Sequence, residues 1–405
     1  MEVFYRAACP HAAPLSCRAE IPSSSAARCQ RLGAAATGAG AVSARNRSIA
    51  ATIAAASPAD RAGESSSIRG RGGFRIPSVP LTAAESNLPR MAELPVFNRE
   101  AVFAAVSPAT AIERTRAAFE RHAAGDWEMP AKVYVDAPPA GDFRAMPARG
   151  EGVATLKWVT SFPHNPERGL PVVAGALLVS SAETGELLAL MDCAAITSLR
   201  TGAAAAVSAT ALARDDAGAV GLIGCGVNGA WAARCLAAAG YGPGICFDPR
   251  EEAAGALADE LDWRSGDRAE AAAQEVVVTV TPAEAPVIGA GDLRPGQHLA
   301  VLGADAHGKA EVERQALLAC SLFCDEWEQA SKGGELSGAA AAGLLDRGRV
   351  TELGPVLLGR EPGRRSAEET TLFDSTGLAI QDLGIALGVL EAWRAGRVEA
   401  PSISL

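Results

Sequence analysis

The chain has 405 residues and a formal charge of −10, with 48% hydrophobic and 21% charged residues. That is enough apolar material for two domains with sizeable cores, and the acidic balance argues against a nucleic-acid or anionic-membrane surface and for small-molecule ligands. The nine cysteines are scattered, with neither CxxC pairs nor a Cys/His cluster at zinc spacing, so no disulfide framework and no metal site is expected. No apolar run approaches the roughly 20 residues that span a bilayer.

Residues 1–90 are rich in Ala, Ser and Arg, lack Lys and Trp, and show no sustained periodicity. They read as a disordered or transit-like extension, or as translated sequence upstream of a start at Met91, so the chain is cytoplasmic or, with a transit peptide, organellar. From Leu94 the pattern becomes regular. Asn98–Val106 and Pro108–Ala124 read as helices, the second capped by Ser107 with Pro108 in its first turn. Strand-like runs follow at Lys132–Asp136, Phe143–Met146, Val153–Phe162, Val172–Ser180 and Leu187–Met191, punctuated by Pro and Gly, which gives a mostly antiparallel sheet. An Ala-rich helix over Ala194–Ala213 then leads to AVGLIGCGVNGAWAARCL, residues 219–236.

In that stretch a short apolar strand, Ala219–Ile223, runs into Gly224-Cys225-Gly226-Val227-Asn228-Gly229, a G-x-G-x-x-G loop, and then a helix. Gly224 allows the sharp turn, Gly226 lets backbone approach a pyrophosphate, Gly229 lets the helix pack closely, and free N–H groups of the helix face the phosphates. A second strand, Ile245–Phe247, ends in Asp248, near the spacing at which a carboxylate meets the adenosine ribose hydroxyls. Strands at Glu275–Thr281, His298–Leu302 and Leu322–Cys324, with helices at Arg250–Leu261 and from Ala310, complete a parallel sheet covered on both faces. Gly224, Asp248, Thr281 and Gly303–Asp305 then share the rim at the strands' carboxyl ends. A last helix, Leu378–Ala395, is expected to cross back onto the first sheet.

Lys132, Arg144, Lys157 and Arg200 stand in otherwise apolar surroundings, where buried cations need anionic partners or ligands. A pocket of cations suits both a pyrophosphate and a small carboxylate. Asp305, in LGADAHGK after the strand ending at Leu302, would put a carboxylate on the rim, where it could activate a water or ammonia while Lys157 exchanges protons with the substrate.

The motifs MPAKVYV, GDFRAMPA, LKWVTSFPHNPERGLP, MDCAAITSLRTGAAA, IGCGVNG, LGADAHGK, EQASKGGE and FDSTGLAIQD occur in the order found in one family. Together they make the chain resemble the ornithine cyclodeaminase and mu-crystallin superfamily, most of all its archaeal-type NAD-dependent L-alanine dehydrogenases. The resemblance implies an α/β fold with an NAD-binding Rossmann domain over 214–375. Beside it stands an α+β substrate and dimerisation domain over 91–213, completed by 376–405 and built on a mostly antiparallel sheet. It also implies a homodimer and a site in the cleft, with Lys132 and Arg144 on the substrate carboxylate, Lys157 as proton donor and acceptor, and Asp305 acting on water or ammonia. The cofactor NAD would be held by Arg200, Gly224, Gly226, Val227, Asn228, Gly229, Asp248, Pro249, Arg250, Gly303, Ala304, Asp305, Lys309 and Ser375. Ornithine cyclodeaminases carry an acid where Arg144 stands, and a cation there would repel a distal ammonium, which favours alanine. Ornithine cyclodeaminase, cyclic ketimine reductase and a mu-crystallin-like binding protein are the alternatives.

Overall fold

The computed structural model describes residues 93–282, 285–304 and 309–404. The expectations for residues 1–90 and for Asp305 fall outside them. Strands β1 (Leu94–Phe97), β2 (Val133–Ala137), β3 (Gly141–Gly150), β4 (Val153–Ser161), β5 (Val173–Ser181) and β6 (Leu187–Asp192) belong to a seven-stranded sheet. From β2 to β6 each strand runs antiparallel to the next, and β1 lies beside β6, parallel to it. Period-two alternation sets its faces: on β4, Val153, Thr155, Lys157 and Val159 are buried while Leu156 and Trp158 are exposed.

The helices around this sheet start where capping chemistry tells them to. Arg99–Ala105 begins at Asn98, whose side chain accepts from the Ala101 N–H, and Pro108–Ala124 at Ser107, which accepts from the Thr110 N–H. Helix Cys193–Leu212 is buried nearly all round because it lies between elements, against Pro108–Ala124, Val227–Ala238 and β5. Small residues permit that approach: a Cβ on Gly202 would stand 2.4 Å from the Trp231 carbonyl carbon.

The second sheet has eight strands, all parallel: β7 (Val220–Ile223), β8 (Gly244–Phe247), β9 (Arg264–Ser265), β10 (Val276–Thr279), β11 (His298–Val301), β12 (Ser321–Cys324), β13 (Val350–Glu352) and β14 (Thr371–Asp374). Their order across the sheet is β13-β12-β14-β11-β10-β7-β8-β9, doubly wound about β7. Helix Ala379–Arg394 then packs on the helices Arg99–Ala105, Pro108–Ala124 and Cys193–Leu212 and on β3 and β4, and β15 (Ser402–Ile403) joins the first sheet beside β1.

Two expectations are corrected. The helix expected from Ala310 begins at Arg314, because Glu311 and Val312 are held extended, the latter bridged to Ile288 and both backbone amides donating to the Glu335 carboxylate. The sheet does not end at Leu322–Cys324: β14 inserts between β11 and β12, and β13 lies beyond. Thr371–Asp374 has only two apolar residues between polar ends, too few to show a period. Among the described residues no helix is long and apolar enough to cross a membrane.

Candidate active site

The neighbouring strands β8, β7, β10 and β11 end level, with Phe247 beside Ile223, Ile223 beside Thr279, and Thr279 beside Val301. The segments leaving them form the rim on which the sequence places its ligand residues. Gly224 turns the chain at φ +104°, where a Cβ would lie 2.6 Å from the Val280 carbonyl oxygen, and a Cβ on Gly229 would lie 1.9 Å from the Gly224 oxygen. Gly226 is the opposite case: its Cβ would meet no protein atom within 4 Å. It opens onto the cleft at the N-terminus of helix Val227–Ala238, which has no side-chain cap. Two glycines are thus required by packing, and the third leaves free backbone N–H groups facing open space, a cradle for a phosphate.

Asp248, which follows β8, is buried and ties that loop to the rim: Oδ2 accepts from the Cys225 N–H at 2.8 Å and Oδ1 from the Arg250 N–H at 2.9 Å. The Arg250 guanidinium folds over it, Nε to Oδ1 at 2.9 Å and Nη2 to Oδ2 at 3.0 Å, and these bonds hold the carboxyl down at about 2. Because the Arg250 side chain is 68% exposed, it can swing away and leave Asp248 to a ribose hydroxyl.

Between the sheets lies a cleft of about 530 Å³ whose wall includes Lys132, Arg144, Lys157 and Arg200, together with Gly226, Val227, Asn228, Gly229, Gly303, Lys309 and Ser375. Gly224, Asp248, Pro249, Arg250 and Ala304 stand on the adjoining rim segments. The cations are anchored from different elements. Lys157, on the buried face of β4, is 1% exposed; its Nζ donates to Asp382 Oδ1 at 2.8 Å and Thr197 Oγ1 at 3.2 Å. Arg200 Nε lies 3.4 Å from the same Asp382 oxygen. Lys132 Nζ donates to the Thr376 carbonyl at 3.0 Å. Arg144 is clamped by Asp142, Nε to Oδ1 at 2.6 Å and Nη2 to Oδ2 at 3.1 Å, with its guanidinium 5.5 Å from the centre of the Tyr134 ring.

Burial lowers both lysines. For Lys157 desolvation outweighs the opposing pull of Asp382, with Arg200 pushing the same way as burial. Desolvation likewise brings Lys132 down to about 8, with Asp325 opposing and Arg200, Arg144 and Lys157 assisting. Two amines in one cleft are thereby moved towards the range in which they can exchange protons in neutral water.

Four acids of this site escape a reading by sequence. Asp382 is the carboxylate that Lys157 contacts among the described residues, and the expected pairing with Asp305 lies outside them. A lone acid in AIQDLGIALGVL was the available signal, by the same reasoning that singled out Arg200. Asp142 neutralises Arg144, so the argument that a bare cation repels a distal ammonium does not hold in the form stated from sequence. Asp325, at the end of β12, faces Lys132 from a strand whose neighbour was not recognised. Glu311 joins two rim segments, accepting from the Gly303 and Thr281 N–H groups at 2.7 Å each.

Comparison with known proteins agrees with this geometry. The model described as the ornithine cyclodeaminase/mu-crystallin family matches residues 96–397. Alanine dehydrogenase of Archaeoglobus fulgidus is 40% identical over 303 residues, 73% of this chain and 94% of that one. Among solved structures, an archaeal alanine dehydrogenase dimer with bound NAD has a TM-score of 0.74 at 38% identity, covering 77% of this chain and 99% of its own. Delta(1)-pyrroline-2-carboxylate reductase of Thermococcus litoralis, in complex with NADH and L-proline, has a TM-score of 0.72 at 26% identity, covering 77% and 100%.

Proposed function

The chain belongs to the ornithine cyclodeaminase/mu-crystallin family, as an NAD-dependent oxidoreductase, and from that premise we propose that it interconverts L-alanine with pyruvate and ammonia. The observation that carries the reading is one cleft in which four cations stand beside a phosphate-cradling glycine loop. Such a cleft matches a ligand pair made of a dinucleotide and a short acid. Bound NAD supplies the hydride acceptor for the Cα–H bond of the amino acid.

This chain's residues do the rest. The Gly224–Gly229 loop and the helix behind it orient the pyrophosphate, and Asp248, once Arg250 swings aside, takes the ribose hydroxyls. Lys132 and Arg144 hold the substrate carboxylate, Arg144 as a fork kept in plane by Asp142. Lys157, buried and with its pKa lowered by desolvation, moves a proton at the substrate nitrogen and, after water adds to the iminium carbon, at the new hydroxyl. Asp382 limits its excursions and Asp305 activates the water. Lys309, Ser375 and Arg200 complete the cofactor side. The domain limits we adopt are those given by the sequence, 91–213 with 376–405 and 214–375.

The outer face of the first sheet supports a homodimer. Val133, Val135, Leu156 and Trp158 are 57%, 51%, 38% and 44% exposed and share that face, where Trp158 stacks on Phe143 at 5.7 Å. A continuous apolar sheet face of this kind marks an association surface, here for a second copy. The test of the catalytic reading is Lys157→Ala: kcat should fall by roughly 10² to 10⁴ while NADH still binds. A near-normal kcat would remove the proton-transfer role.

A further inference from the structure

Asp325 leaves the end of β12 directly beside the end of β14, since Cys324 pairs with Asp374 in the parallel register. It is 4% exposed, and its carboxylate reaches across to the three residues that follow β14. Oδ2 accepts from the Gly377 N–H at 2.8 Å, the Thr376 hydroxyl lies 3.2 Å from both oxygens, and the Ser375 hydroxyl lies 3.4 Å from Oδ2. Oδ1 also accepts from the Glu326 N–H at 2.8 Å, which fixes the carboxylate to its own strand end.

The turn tied down in this way touches the cationic wall. The Thr376 carbonyl is the oxygen to which Lys132 donates. Gly377, at φ +74°, gives up the space a side chain would need to the Arg200 guanidinium, whose Nη1 would stand 2.1 Å from a Cβ there. We propose that Asp325 is a positioning residue for substrate recognition: it locks the Ser375–Gly377 turn and thereby seats Lys132 where the substrate carboxylate is held. This rests on the reading of Lys132 as a substrate contact and extends it to a residue that touches no substrate itself.

Charge works in the same direction as geometry. The charged groups acting on Lys132 are the acids Asp325 and Glu326 and the cations Arg200, Arg144 and Lys157. Burial raises the Asp325 carboxyl, but Lys132 and the donated hydrogen bonds draw it back. Its neighbour Asp374 is pushed well above the usual carboxylate range by burial and by Asp325's charge. Burial raises both carboxyls, and the attraction between Asp325 and the Lys132 amine opposes the lowering of the lysine by burial.

Asp325→Asn separates these contributions, because an amide keeps the size and one acceptor and loses the charge. Kinetics would be run with whichever of pyruvate plus ammonia or pyrroline-2-carboxylate the enzyme reduces, since both carry the carboxylate. In the unaltered enzyme KM for that acid should climb as pH passes the Lys132 value near 8. In Asp325→Asn the climb should begin about one pH unit lower, raising KM roughly threefold at pH 7.5 and roughly tenfold at pH 9, with NADH affinity changed by less than about twofold. Asp325→Ala, which also frees the turn, should raise KM further. Lys132→Met should give a high KM with the climb removed, and adding Asp325→Asn to it should change KM little further. An unshifted climb in Asp325→Asn, or a full additional loss on the Lys132→Met background, would overturn the positioning role alone. An unchanged KM in Lys132→Met would overturn the underlying reading of Lys132 and the proposal with it.

Discussion

Asp382 is the carboxylate shared by Lys157 and Arg200 among the described residues, and removing it should cost far more stability than removing Lys157. Asp382 is 1% exposed, with the Lys157 amine 2.7 Å from Oδ2 and the Arg200 Nε 3.4 Å from Oδ1. Asp382→Asn leaves two buried cations with no carboxylate between them among the described residues; Lys157→Met leaves the Arg200–Asp382 pair intact. Breaking a buried pair by taking away one partner costs about 3–5 kcal/mol when a charge is stranded, and replacing a buried charge by an apolar chain of similar volume costs far less when none is. In a chain of this size the first figure corresponds to a fall in Tm on the order of 10 °C. Thermal unfolding of the two variants at pH 7 should therefore place Lys157→Met within about 1 kcal/mol of the unaltered protein and Asp382→Asn well below it. The penalty also has a pH signature. Lys157 has a lowered folded pKa, so the unfolded chain binds more protons and stability rises with pH up to the unfolded lysine value. The gap between the variants should narrow as pH is raised towards 10. Equal losses in both, or a gap independent of pH, would refute the charge accounting.

The three loop glycines should separate binding from folding. Gly226→Ala should weaken NADH binding with little change in Tm, since the new methyl meets only open cleft, whereas Gly229→Ala should lower Tm because its methyl strikes the Gly224 oxygen; isothermal titration and calorimetry check both. Asp248 should make kcat/KM higher with NADH than with NADPH, and comparable values would mean that Arg250 accepts a 2′-phosphate in place of its bond to Asp248. Arg144→Ala should raise KM for pyruvate more than it lowers kcat, the mark of a contact made equally in ground and transition states.

How much was legible in advance depended on whether a residue's role was local. The glycine loop, Asp248 and the capped helix Pro108–Ala124 are read from short stretches, because turn sterics and capping act within a few residues. Lys157 and Arg200 were recognisable as buried cations, since a charge amid apolar strand or helix residues needs a partner wherever that partner lies. Which partner it is was not legible. Asp382 is 225 residues from Lys157, and Asp325 reaches Gly377 only because β14 inserts beside β12. Strand order in a parallel sheet is set by crossovers, not by the strands' own composition, so residues that meet through it leave no spacing in the chain. Arg144 shows the converse error: its partner Asp142 was two residues away, and only the strand's pleat shows that the two side chains meet.

The central claim is tested most directly by following NADH absorbance with purified enzyme across pyruvate with and without ammonium, pyrroline-2-carboxylate, and, in the reverse direction, L-alanine and L-ornithine with NAD. The account predicts NADH oxidation that requires pyruvate and ammonium together, NAD reduction by L-alanine, and loss of both in Lys157→Ala with NADH binding retained. Turnover of pyrroline-2-carboxylate or L-ornithine with none from pyruvate plus ammonium would contradict it.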